Sequence, residues 1–140
     1  MEEVLKIDLL KLAELFQPWE RNIWVECNKP ISSIEIEESL YNNQTQGPHI
    51  PVKFELIWDI SDRTTHIKRI AWLVNNFSDD FPIEIDFGIP NTCYPTIIDG
   101  NHRLLAAYFL KRSFIMVNWC GAISEVKKYT YHGHNTTTFA

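Results

Sequence analysis

The chain has 140 residues, is 45% hydrophobic and carries a formal net charge of −5. That length suits one domain, and five tryptophans with this hydrophobic content suffice for a packed core, which excludes disorder as the main state. Thirteen basic residues against eighteen acidic ones, spread out apart from Lys111–Arg112 and Lys127–Lys128, disfavour duplex DNA binding by this chain alone but leave room for a local positive pocket.

Residues 4–7, "VLKI", predict a short strand. Asp8 is placed to cap a helix over 9–16, with Leu9, Leu12, Ala13 and Phe16 on one face and Pro18 at its end. Residues 17–30 read as irregular, with a short strand at "IWVEC". Residues 31–37, "ISSIEIE", alternate from Ser33 to Glu37 and predict a half-buried strand. Residues 41–51 hold Asn, Gly and two prolines without periodicity and read as a loop, and "VKFELIWDI" at 52–60 predicts another strand.

A helix is predicted over 62–76, where Ile67, Ile70, Ala71 and Val74 form one stripe. "FPIEIDFG" at 81–88 predicts a strand with Ile83, Ile85 and Phe87 on one face and Glu84 and Asp86 on the other. A turn, the strand "TIID", a helix over 101–112 and the strand "FIMVNWC" at 114–120 complete the series. Residues 130–140 are polar and read as a mobile tail. Helix, strand, turn, strand, helix, strand is an α+β or α/β order with short connections, not a bundle or a sandwich.

Cys27, Cys93 and Cys120 are odd in number and contain no Cys-x-x-Cys pair, so they form neither a disulfide framework nor a zinc knuckle. Reduced thiols and an acidic start without a long apolar core point to a cytoplasmic protein, and no apolar run reaches membrane-spanning length.

The chemistry concentrates at "IIDGNHR", residues 97–103, where a strand becomes a helix. A helix starting at Asn101 leaves its first N–H groups without internal partners, and its dipole adds positive charge there. Gly100 lets a ligand approach the backbone, and His102 and Arg103 add donors, Arg103 in a fork that matches phosphate oxygens. On this physics alone the run is either an anion-binding corner or a plain turn with Asp99 as cap and a solvated first helical turn.

The wider pattern resembles a family. "PTIIDGNHRLLAAYFLKR", preceded by "PIEIDF" and followed by "FIMVNW", is similar to the ParB/sulfiredoxin superfamily in its Asp-Gly-x-His-Arg branch, and the match runs over about residues 63–120. "EVLKIDLLKLAELFQPWER" resembles the opening of many ParB-like domains, whereas 22–60 match less well and stand as a divergent or inserted region. The resemblance implies a single compact α+β domain over 1–129, a small mixed sheet with flanking helices. It implies that Gly100, Asn101, His102 and Arg103 receive nucleotide phosphates, with Asp99, His102 and Arg103 as catalytic candidates.

The family includes nucleotide-binding partition proteins, sulfiredoxin and ParB-like nucleases. Sulfiredoxin keeps a reactive cysteine where this chain has Asn101, so repair through that thiol is not expected. Partition proteins add a DNA-binding helical domain, which is not expected here within the 20 residues that follow position 120. The implied ligand is a nucleoside triphosphate or diphosphate, in phosphoryl transfer or phosphodiester hydrolysis; Asp99, Glu84 and Asp86 are the acids expected nearest the corner, with Asp99 and Glu84 the candidates to hold Mg²⁺. The competing expectations are a protein-interaction module on the same fold, with Trp19 and Trp24 facing a partner, and a nuclease, which the negative charge opposes.

Other candidates rank lower. His132 and His134 could join His49 or His66 on a metal, but no spacing completes that site. Trp58, Trp72 and Trp119 fit core packing better than base stacking, and His66 and Arg69 read as a solvated helix face beside a possible cleft.

Overall fold

The computed structural model describes residues 4–24, 27–47, 62–91 and 95–132. These hold β1 (Val4–Asp8), α1 (Leu9–Phe16), α2 (Ser33–Tyr41), α3 (Arg63–Asn75), β2 (Ile83–Asp86), β3 (Thr96–Asp99), α4 (Asn101–Phe109), β4 (Phe114–Cys120) and α5 (Ile123–Lys127). The strand expected at 52–60 lies outside the described residues. No helix among them is long and apolar enough to cross a membrane.

The strands form one mixed sheet in the order β1-β4-β2-β3. β1 is antiparallel to β4, β2 is parallel to β4, and β3 returns antiparallel to β2. The α+β class with a small mixed sheet is therefore observed. Ile83, Ile85 and Phe87 point inward as their alternation requires, and meet Ile7, Ile115 and Val117 from the neighbouring strands. Leu9 and Leu12 of α1, Leu104 and Ala107 of α4 and Val126 of α5 close this core. Asp8 caps α1, its Oδ1 accepting from the N–H groups of Leu10 at 2.9 Å and Lys11 at 3.2 Å.

A second core lies between α2, α3 and α4, built on Ile31, Ile36, Ile70, Leu105 and Ala106. Here the structure corrects the sequence reading, because residues 33–41 are helix and not strand. Ser32 and Glu35 form a reciprocal capping box: Ser32 Oγ accepts from Glu35 N–H at 3.2 Å, and Glu35 Oε1 accepts from Ser32 N–H at 3.0 Å. That start signal outweighs the alternation, and the helix turns Ile36 into the core while Ile34 stays exposed. The short α5 is a further element the periodicity did not reveal. The tail expectation also changes at its start, since Thr130 bridges Ile7 and Tyr131 N–H donates to Lys6 C=O at 3.0 Å. Residues 133–140 lie outside the described residues.

One guanidinium ties the second core together. Arg63, the first residue of α3, donates from Nε to Glu35 Oε2 at 2.8 Å and from Nη2 to Glu35 Oε1. It also donates from Nη1 to the carbonyls of Cys27 at 3.3 Å and Lys29 at 2.7 Å, and from Nη2 to that of Pro30 at 2.7 Å. The planar fork of arginine serves these directions at once, which an ammonium cannot. Arg63→Ala is expected to lower the unfolding free energy by about 3 kcal/mol in urea, with Arg63→Lys recovering little of it. Arg63, followed by the Ser32 groups, holds the Glu35 carboxyl down at about 2 instead of the ordinary 4.5 against the opposing effect of burial. The contribution is thus complete above pH 4.5 and fades as pH falls toward 2. An Arg63→Ala penalty that kept its full size at pH 3 would contradict the ion-pair account.

Candidate functional site

The strand-to-helix corner is built by a bulge and a glycine. Glu84 lies opposite Asp99, whereas Ile85 lies opposite Ile97, so Ile98 is the extra residue on β3. Ile98 and Asp99 are both exposed as a result. Gly100 follows with φ 108°, in the left-handed region, as the N-cap of α4. A Cβ there would stand 2.4 Å from Ile83 Cγ2, so space and backbone angle both demand glycine.

α4 differs from the three helices before it. Asp8, Ser32 and Asp62 each accept a first-turn N–H of their own helix, whereas Gly100 offers no side chain and none caps α4. The alternative in which Asp99 caps the helix is thereby removed. The first-turn N–H groups and the positive end of the helix dipole are left available at the corner.

Arg103 lies back along this end. Its Nη1 donates to the carbonyls of Phe81 and Pro82, each at 3.2 Å, and its Nη2 to Asp99 Oδ2 at 3.2 Å. Asp99's side chain is 68% exposed, so this pair is weak and an incoming anion can replace the carboxylate as partner of Nη2.

His102 turns the other way. Its Nε2 sits 2.8 Å from Nδ1 of His66, a buried residue of α3. The ring centroids are 5.0 Å apart with planes 23° apart, so the two imidazoles lie nearly side by side. The Trp24 indole covers both, with centroids 4.3 Å from His66 and 4.6 Å from His102. Burial first, then His66, Arg69 and Arg103, push His102 down to about 3, so its ring is neutral at physiological pH.

The carboxylates gather on the sheet beside the corner. Glu84 is the cross-strand neighbour of Asp99 on one side and of Asn118 on the other. Asn118 Oδ1 is buried and has no hydrogen-bond partner. One row of β3, β2 and β4 therefore offers three oxygen-bearing side chains, the hard donor type that Mg²⁺ takes. Among the described residues no three His, Cys, Asp or Glu side chains converge as a metal cluster, so any such ion would need phosphate oxygens as well. Asp86 spends Oδ1 on the Gly88 N–H at 2.9 Å. Burial and then Asp86 and Glu84 raise the Cys120 thiol, the reverse of an activated nucleophile.

Asp99, Gly100, Asn101 and Arg103 thus surround one corner, with Glu84 next to Asp99, while the His102 side chain belongs to an internal pair. Sequence reasoning placed His66 on a solvated face and left Trp24 open to a partner. The usable signal was spacing, because His66 stands four residues before Ile70 on the buried stripe. His132 is exposed, and His49 and His134 lie outside the described residues. Comparison with family models, with curated proteins and with solved structures gives no match.

Gly100→Ala is expected to cost more than about 3 kcal/mol, read as a fall in the thermal midpoint, since it combines strain with overlap. The His102 shift also fixes a sign. Between the unfolded value of 6.5 and the folded value of about 3 the unfolded chain binds the extra proton, so stability falls as pH falls through that window. The slope is expected to approach, at most, about 1.4 kcal/mol per pH unit, and His102→Gln should flatten it. Urea midpoints between pH 7 and pH 5, above the Glu35 range, check this.

Proposed function

We propose that this chain is a phosphate-binding domain of the ParB/sulfiredoxin type whose ligand, a nucleotide foremost, docks at residues 99–103. The observation that carries the reading is the uncapped start of α4 at a glycine that no other residue can replace. Backbone N–H groups, the helix dipole and the Arg103 guanidinium meet at that point, which is the chemistry an oxyanion needs. The order α3, β2, β3, α4, β4 agrees with the order the resemblance implies and supports it.

In this reading the phosphate takes the first-turn N–H groups of α4 and the Asp99 place on Arg103. His102 contributes its backbone N–H and holds the helix end through its ring. Asp99 and Glu84 would carry Mg²⁺ against the phosphate, with Asn118 Oδ1 behind them, and the ion would supply charge neutralisation for phosphoryl transfer or hydrolysis. The acidic face of Glu84 and Asp99 beside the corner repels a polyanion, which favours a small nucleotide over nucleic acid.

A second reading, a protein-interaction module, has one observation in its favour. Ile34 and Tyr41 are 63% and 87% exposed, seven residues apart on one face of α2.

Thermal-shift measurements with ATP, CTP, ADP and GTP, with and without Mg²⁺, test the first reading. At least one nucleotide is expected to raise the midpoint of the wild type. Arg103→Ala, shown folded by circular dichroism, should lose most of that rise, and Glu84→Gln should lose the Mg²⁺-dependent part. If no nucleotide, pyrophosphate or phosphate moves the wild type, the reading fails. If the rise survives Arg103→Ala unchanged, the ligand sits elsewhere.

A further inference from the structure

We infer that residues 122–131 form an arm that opens by itself about a hinge at Gly121, and that the open arm of one chain closes onto β1 of a second copy. Exchange of the arm stands apart from the phosphate reading and needs no ligand.

The arm consists of α5 and of residues 129–131, which run beside β1. Its polar side chains turn to one another. Lys128 Nζ pairs with Glu125 Oε2 at 2.9 Å, and Thr130 Oγ1 donates to Val126 C=O at 3.2 Å. Among the described residues, no side-chain hydrogen bond or ion pair joins the arm to the rest of the chain. The polar contacts across that boundary run from backbone to backbone. Ala122 N–H donates to Gly88 C=O at 2.8 Å, Asp8 N–H to Tyr129 C=O at 2.7 Å, and Tyr131 N–H to Lys6 C=O at 3.0 Å. Side chains add Val126, buried in the sheet core, and two ring contacts. Tyr129 meets Phe87 with centroids 5.5 Å apart, and Tyr131 meets Phe114 at 5.2 Å.

This attachment is slight. α5 has five residues and no side-chain cap at its start. Ile123, Lys127 and Lys128 are exposed. An open cleft of about 440 Å³ lies between α1 and the arm, with Lys11, Glu14 and Leu15 on one side and Lys128 and Tyr129 on the other. A segment with so few buried apolar contacts opens below the free energy of global unfolding.

The hinge favours exchange. Gly121 has φ 106°, in the left-handed region, and a Cβ on it would stand 2.7 Å from Gly88 N and 2.8 Å from Gly88 O. Both constraints belong to the closed arm, since an extended hinge has neither the positive φ nor the close contact. Short hinges under constraint are the condition for swapping an element between copies. The vacated surface fits the same occupant. β1 is an edge strand, and without the arm it offers the Asp8 N–H and the Lys6 C=O to another strand. Backbone bonds re-form equally well with either copy, and Phe87 and Phe114 match the tyrosines of an identical arm. A second copy therefore restores every contact of the closed arm.

Hydrogen exchange on the full chain tests the opening. The N–H groups of Asp8, Ala122, Val126 and Tyr131 are expected to exchange about 100-fold or more faster than that of Val117 in the core. The Leu9 N–H, next to Asp8 but bonded to Ser113 C=O at 3.1 Å, is expected to stay slow. An arm on a short hinge meets its own site at an effective concentration of about 1 mM or above, so exchange between copies needs protein near that concentration. Chains carrying Ile7→Cys with Thr130→Cys, one batch labelled with heavy nitrogen and one unlabelled, are mixed at about 1 mM, incubated and oxidised. Mass spectrometry is expected to find links between positions 7 and 130 that join a labelled to an unlabelled chain. Adding Gly121→Ala, with the fold checked by circular dichroism, is expected to raise the mixed share about tenfold.

Arm N–H groups that exchange only together with the core overturn the inference. Links confined to single chains, with the wild-type hinge and with Gly121→Ala alike, overturn it as well. Where Gly121→Ala does not fold, the mixed share at the wild-type hinge decides alone. None of these outcomes bears on nucleotide binding at residues 99–103.

Discussion

The arrangement depends on one helix that has no free side over four consecutive residues. Leu104, Leu105, Ala106 and Ala107 of α4 are all buried, Leu104 and Ala107 in the sheet core and Leu105 and Ala106 in the core against α2 and α3. A helix enclosed on opposite faces cannot rotate or slide without losing both contacts, because packed interiors tolerate little displacement. The two alanines keep α4 slim where it passes between the layers. Its N-terminus is therefore fixed at the sheet edge, and Gly100 must fit against Ile83 with no room for a Cβ.

That fixed end divides the charge around it. On the helix side stand the dipole, Arg103 and Arg69, and burial first, then His66, Arg69 and Arg103, keep the His102 ring neutral. On the sheet side stand Glu84 and Asp99, joined in register across β2 and β3. The bulge at Ile98 lets β3 end pairing there and leaves Asp99 exposed beside the helix start. A cationic side and an acidic side at one corner is the division that phosphate with a divalent ion requires, which is why the proposed ligand is small and phosphate-bearing. The Arg63–Glu35 pair acts farther away, holding residues 27–30 where Trp24 can cover the histidines.

The second half of the chain was legible because its signals agree. In 83–87 the alternation of Ile83, Ile85 and Phe87 matches the pleat, and Gly100 marks the strand-to-helix boundary. The segment 31–37 was misleading because its signals compete. Ser33 to Glu37 alternate as a strand would, yet Ser32 and Glu35 have the spacing of a capping box, and of Ile34 and Ile36 only Ile36 enters the core. A short alternation is an ambiguous signal, and here the capped helix packs Ile36 against Ile70 of α3.

By itself the sequence determined the mixed order of helices and strands in its second half, the glycine corner with its cluster of Asp99, Asn101, His102 and Arg103, and the inward face of β2. All of these follow from local periodicity and backbone conformation, which neighbours in the chain decide. Only the tertiary structure decided which way His102 turns, that His66 and Trp24 meet it, and that Arg103 binds the carbonyls of Phe81 and Pro82. The contacts with Trp24, His66, Phe81 and Pro82 span more than 20 residues of chain, and an imidazole or guanidinium takes its direction from the partners that packing brings to it. A local pattern can place such a side chain on an element, but it carries no information about those partners.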